Sequence, residues 1–175
     1  ERAKETAQIA AALGREFSLE VLAAVSPLGP VAVQEDLDRL MTAGLVLRKR
    51  RLKDPVAVFK HALVRDSAYE SLSRGAKQKV HARIAHTLEE RFAEVTRTRP
   101  DLLALHYAAA EQKQQAVGYA LKAAQQALHR STYTEAMAHA SNVVDWAGEL
   151  PSSESVAAAL TANGVLAHAR MATRG

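Results

Sequence analysis

The chain has 175 residues, 48% of them hydrophobic, and contains no cysteine. A chain of this length buries about 70% of its extended surface on folding, which is enough for one large or two small domains. Without cysteine it has no disulfide and no cysteine-based zinc site, which agrees with a reducing cytoplasm. Its apolar runs are far too short to cross a membrane, and the net charge of +4 does not by itself indicate nucleic-acid binding.

Alanine is abundant, whereas aromatic residues make up only 5% of the chain. Because small side chains let helices pack closely, this composition favours a mostly α-helical fold over a β-sandwich or barrel. The sequence begins in a helical pattern at Glu1 and stops at Gly175 soon after another. We therefore expect a fragment of a longer cytoplasmic protein.

The spacing of apolar residues predicts three helices at the start of the chain. The first covers 2–13 and ends at Gly14, a residue type common just past a helix. Ser18 is a typical N-cap for a short second helix that Pro27 closes. The third helix is predicted over 33–43, with one apolar stripe.

A β-hairpin is predicted to follow these helices. Apolar and β-branched runs at 45–47 and 56–59 flank a turn at 53–55. Three helices followed by a hairpin is a winged-helix arrangement, a variant of the helix-turn-helix. The predicted winged-helix domain covers residues 1–60.

From His61 onward the pattern is helical. The predicted helices cover 61–73, about 75–92, 101–110, 113–129, 133–146 and 153–171, with a polar break at 96–100.

The helices spanning about 117–150 match the length of a tetratricopeptide unit of ~34 residues. Small residues such as Ala120, Ala124 and Ala136 recur where two antiparallel helices would touch. We therefore predict linking helices over 61–112 and truncated tetratricopeptide-like repeats over 113–175.

His61 is the principal candidate binding residue. It falls where the strand of 56–59 gives way to a helix, and the first-turn N–H groups and dipole of a helix favour an anion. A histidine at such a junction can reach a phosphate, but the pattern alone favours a structural role.

The stretch Phe59-Lys60-His61-Ala62-Leu63-Val64-Arg65-Asp66, with Ala68 to Leu72 behind it, resembles the end of the winged helix in signal-transduction ATPases with numerous domains. Further likeness lies in Gly14 to Phe17, Leu102 to Tyr107 and the segment from Ala116. This class includes MalT-like regulators and ATPases fused to nucleotide cyclases. Related plant receptors carry Met-His-Asp here; Lys60 and Ala62 replace the Met and the Asp.

The resemblance implies a regulatory, non-catalytic segment. His61 would contact the phosphate of ADP held by an upstream ATPase domain, and the repeats would bind a protein or small-molecule effector. ATP or ADP with Mg is implied for the full-length protein only.

The residues themselves identify no catalytic or metal site. None of the eight glycines is followed by lysine, so the chain lacks the phosphate-binding loop G-x-x-x-x-G-K-[ST]. His86 lies one helical turn from Glu89 and Glu90, but no third metal ligand is evident. We expect neither catalysis nor a metal centre in this chain.

Two alternative functions remain open, and a basic cluster bears on the first of them, DNA binding. The cluster comprises Arg48, Lys49, Arg50, Arg51 and Lys53. These side chains could contact DNA phosphates as a wing or contact a neighbouring domain, but a solvated hairpin tip is the favoured interpretation. Three carboxylates early in the third helix would repel phosphate, so nucleic acid is the less favoured partner. A helical-repeat interaction scaffold is the other alternative.

Overall fold

The computed structural model describes residues 1–49 and 55–174. This part of the chain is mostly α-helical, as predicted, and forms two compact units, Glu1–Thr87 and Leu88–Gly175. The helices are α1 (Arg2–Leu13), α2 (Leu19–Val25), α3 (Gly29–Thr42), α4 (Ala62–Glu70), α5 (Arg74–Arg91), α6 (Ala93–Thr98), α7 (Pro100–Ala109), α8 (Lys113–His129), α9 (Tyr133–Ala147) and α10 (Ser152–Arg174). The strands are β1 (Glu16–Ser18), β2 (Val46–Lys49) and β3 (Val56–Phe59).

The first unit contains a three-stranded antiparallel sheet in the order β1-β3-β2. β2 and β3 form the predicted pair, with Leu47 opposite Val58. β1 was not predicted, because three residues are too short to show the alternation of a strand. It pairs with β3 so that Phe17 opposes Ala57, and the turn at 53–55 lies partly outside the described residues.

Local sequence explains most helix boundaries of this unit. Gly14 ends α1 with a φ of 134°, a backbone conformation that residues other than glycine rarely adopt. The Ser18 hydroxyl accepts the N–H of Val21 at 3.3 Å and caps α2, as predicted. The predicted start of α3 at Val33 is wrong: the helix begins at Gly29, because Pro30 fits a first helical turn.

The core of the first unit consists of large side chains from distant segments. Ile9, Leu22 and Leu37 come from the three N-terminal helices and are fully buried. Phe17 and Phe59, on paired strands, have ring centroids 5.6 Å apart. α1 also packs against α3 and α4, so the sheet and helices share this core.

The second unit is a series of helices in which α7, α8, α9 and α10 each pack against the next. The predicted bounds of α8 are confirmed, and Pro100 opens α7 as predicted. The predicted break at 96–100 is wrong for its first residues, since α6 continues to Thr98. Within the described residues, none of the helices is long and apolar enough to span a membrane.

Candidate functional site

His61 lies at the junction between β3 and α4, where the sequence pattern indicated. Its backbone is extended, with φ −126° and ψ 139°, and it occupies the N-cap position of α4. The His61 carbonyl accepts the N–H of Val64 at 3.1 Å. Its side chain is exposed, and among the described residues it caps no backbone N–H. The imidazole is therefore accessible to a group arriving from outside this unit.

The residues around His61 also face solvent. Lys60 is exposed, and Leu63 in the first turn of α4 is 78% exposed. The Arg65 guanidinium contacts the neighbouring Asp66 carboxylate, with Nε 2.8 Å from Oδ1. Because this pair neutralises the carboxylate, the junction retains a net positive charge from Lys60.

The described part of the basic cluster does not join His61. Arg48 donates to Gln34 Oε1 at 3.1 Å, and Lys49 Nζ lies 2.8 Å from Glu16 Oε2. Lys49 opposes Val56, five residues before His61, which corresponds to roughly 16 Å of extended chain. Arg48 and Lys49 are therefore not adjacent to His61; Arg50, Arg51 and Lys53 lie outside the described residues.

Only some of the acidic residues in the first half of α3 are exposed. Asp36 is fully buried, where its carboxylate accepts hydrogen bonds from Arg2 Nε at 3.0 Å and Thr6 Oγ1 at 2.9 Å. Glu35 and Asp38 remain exposed, so the helix still presents carboxylates to solvent. Sequence reasoning missed this hydrogen-bond network because Arg2 and Thr6 lie 34 and 30 residues before Asp36 along the chain.

A second polar pair missed by sequence reasoning is inside the first unit. His81 is buried, and its Nε2 lies 2.8 Å from the Tyr69 hydroxyl. Burial, assisted by the charge of Lys77, lowers the pKa of His81 below its ordinary value of 6.5. Lys77 Nζ lies 4.5 Å from the centre of the Tyr69 ring, so this cluster fastens α4 to α5.

In the second unit, Glu89 accepts hydrogen bonds from two tyrosines. The Tyr119 hydroxyl lies 2.6 Å from Glu89 Oε1, and the Tyr107 hydroxyl donates to Oε2. The two rings stack with centroids 5.7 Å apart. Burial, followed by the bond to Glu89, raises the pKa of both tyrosines. His106 and Tyr107 are buried, as predicted for packing residues.

A groove of about 380 Å³ lies among the helices of the second unit, with Arg99, Asp101, Arg130 and His139 in its lining. Arg99 binds the Asp101 carboxylate through Nε at 3.0 Å and Nη2 at 2.8 Å. Burial alone would raise the pKa of Asp101, but Arg99 and the charge of His139 bring it below its ordinary value. The groove is thus polar, with an ionised carboxylate.

The described residues contain no cluster of three or more His, Asp or Glu side chains arranged for a metal. His81 faces inward while His86 is exposed, so the two do not share a face.

No model of a known protein family matches the chain, and no solved structure matches it. The chain is similar to an uncharacterised protein of Rhizobium meliloti (strain 1021), with 27% identity over 167 residues. The similarity covers 93% of this chain but only 16% of that protein. The chain therefore spans about a sixth of the length of this curated relative.

Proposed function

We propose that the chain is a regulatory, non-catalytic segment of a bacterial signal-transduction ATPase with numerous domains. Residues 1–60 act as a winged helix that closes over ADP on an upstream ATPase domain. Residues 61–112 link it to tetratricopeptide-like repeats over 113–175. A protein or small-molecule effector binds the repeats and alters the closure.

The order of elements in the first unit supports the winged-helix assignment. Over residues 1–60 it reads helix, strand, helix, helix, strand, strand, with the last two strands forming the hairpin that would be the wing. Exposed Glu35 and Asp38 on the third helix argue against its use as a DNA recognition helix. Contact with another protein domain accounts better for this surface.

His61 carries the proposal. An accessible imidazole at the N-cap of α4 lies beside amide groups and a dipole that favour an anion. Protonated, it would donate a charge-assisted hydrogen bond to a terminal phosphate of ADP, which would link the two domains. The effector then shifts the equilibrium by binding the open arrangement more tightly than the closed one.

The repeats would supply the effector site. The polar groove lined by Arg99 of the linking helices and by Arg130 and His139 of the repeats is the described cavity that best suits a small polar effector. The much greater length of the Rhizobium meliloti relative suits a segment of a multidomain protein.

The test is His61→Ala in the full-length natural protein, with ADP affinity measured by calorimetry and basal output by the activity of its output domain. Loss of one charge-assisted bond should weaken ADP binding by roughly 10- to 100-fold and raise basal output. His86→Ala, at another exposed histidine of the same unit, is the matched control. Wild-type ADP affinity and output in His61→Ala would refute the role of His61.

A further inference from the structure

The outer face of the three-stranded sheet carries a feature that the nucleotide hypothesis does not use. A shallow cavity of about 460 Å³ lies on this face. Six side chains that line it are Arg15, Glu16, Leu47, Lys49, Val58 and Lys60.

Strand register explains why these side chains converge. Glu16 and Leu47 both oppose Val58, so the three lie side by side on one face of the sheet. Lys60 lies two residues after Val58, and Lys49 lies two residues after Leu47. Because side chains alternate along a strand, both lysines share the face of this row. An aliphatic centre is thus flanked by a cation at either end.

The charge of the cavity is unbalanced. Three cations line it against one carboxylate, and Lys49 Nζ already holds that carboxylate at 2.8 Å. Among the described residues, Arg15 and Lys60 form no ion pair. The face therefore has a net positive charge that no described group of this chain compensates.

The centre of the cavity is apolar and only partly covered. Leu47 is 48% exposed, although it is a strand residue beside a half-buried Val58. A nucleic-acid backbone would neutralise the cations but would leave these aliphatic groups in water. A protein segment that carries carboxylates and an aliphatic side chain would neutralise the cations and also cover the aliphatic groups.

We propose that this face is a docking surface for an acidic segment of a partner protein. The segment places an aliphatic side chain on Leu47 and Val58 and its carboxylates against Arg15 and Lys60. This proposal is independent of the role of His61, because it can succeed or fail with ADP affinity unchanged.

The experiment selects binders from a display library of random dodecapeptides on the 175-residue chain. The strongest peptide is then synthesised with a fluorophore and measured by anisotropy. We expect an aliphatic residue flanked by Asp or Glu, and binding that weakens with salt. Arg15→Glu combined with Lys60→Glu should reduce affinity at least about tenfold, and Leu47→Ser about threefold.

The matched control is Lys79→Glu with Arg83→Glu, which makes the same charge change on another surface of the first unit. It should bind as the parent does. If the Arg15/Lys60 charge reversal prevents folding by circular dichroism, Arg15→Gln with Lys60→Gln removes the same charges without adding carboxylates.

Three results would overturn the proposal. The selected peptides could lack acidic residues, or they could bind the Arg15/Lys60 variant as tightly as the parent. A mixed-sequence DNA duplex could also bind more tightly than the peptide and lose binding in that variant, which would assign the face to nucleic acid.

Discussion

The two units of this chain are stabilised in different ways. In Glu1–Thr87 the core joins a few large side chains, such as Phe17 and Phe59, from segments about forty residues apart. In Leu88–Gly175 the helix contacts are mostly between neighbours in sequence, and the buried side chains are largely alanine. The first unit should therefore be most sensitive to truncation of a side chain, and the second to enlargement.

The largest effect is expected from Phe59→Ala. Phe59 is 1% exposed and its ring packs in a tilted arrangement against that of Phe17, so its truncation leaves a cavity and should lower the free energy of unfolding by about 3–5 kcal/mol. Urea denaturation followed by far-UV circular dichroism measures this. Leu63→Ala, at a 78% exposed position, is the control and should change stability by less than about 0.5 kcal/mol. Equal effects of the two would contradict the described core.

The next largest effect is expected from Asp36→Ala. It leaves the Thr6 hydroxyl and the Arg2 guanidinium without their buried acceptor, and should cost about 3 kcal/mol. Asp38→Ala, which removes an exposed carboxylate two residues later, serves as the control. The same denaturation assay applies, and an unchanged midpoint for Asp36→Ala would show that the network contributes nothing.

In the second unit, Ala124→Leu tests close helix packing. Ala124 is fully buried, so three added carbon atoms should overpack the core and cost about 1–3 kcal/mol. Trp146, the single tryptophan, lies in this unit and reports its unfolding by fluorescence. The adjacent exposed Gln125→Leu should be nearly neutral; destabilisation equal to that of Ala124→Leu would argue against the described packing.

The smallest effect is a pH dependence of the first unit. The pKa of His81 is lower in the folded state than its ordinary value of 6.5, so the unfolded chain binds the proton more readily. Stability should therefore fall as pH drops below 6.5, by at most about 1.4 kcal/mol per pH unit. Denaturation of His81→Asn at a series of pH values should show a flatter profile. A profile as steep as the parent's would assign the dependence to another group.

Sequence periodicity predicted α8 and α9 of the second unit well. α8 and α9 show clear stripes of small residues between short polar turns, so their bounds were found to within one residue. The strand β1 was missed because it has three residues and owes its conformation to pairing with β3, about forty residues away. Local pattern carries no information on such a partner.

The same distinction between local pattern and distant partners applies to the candidate functional residues. His61 was found because a strand pattern changes to a helix pattern at that position. Asp36, His81 and Glu89 were not recognised as members of polar clusters, because their partners are fixed by tertiary packing. A buried aspartate in a helix and an exposed one have the same local sequence signal.

The most direct test of the nucleotide hypothesis is hydrogen exchange of the full-length natural protein with and without ADP. If His61 contacts the nucleotide phosphate, ADP should slow exchange of the amides around residues 59–65. The same amides in His61→Ala should be slowed less at equal ADP occupancy. Slower exchange elsewhere in the protein, with no change at 59–65, would contradict the assignment of His61 to ADP.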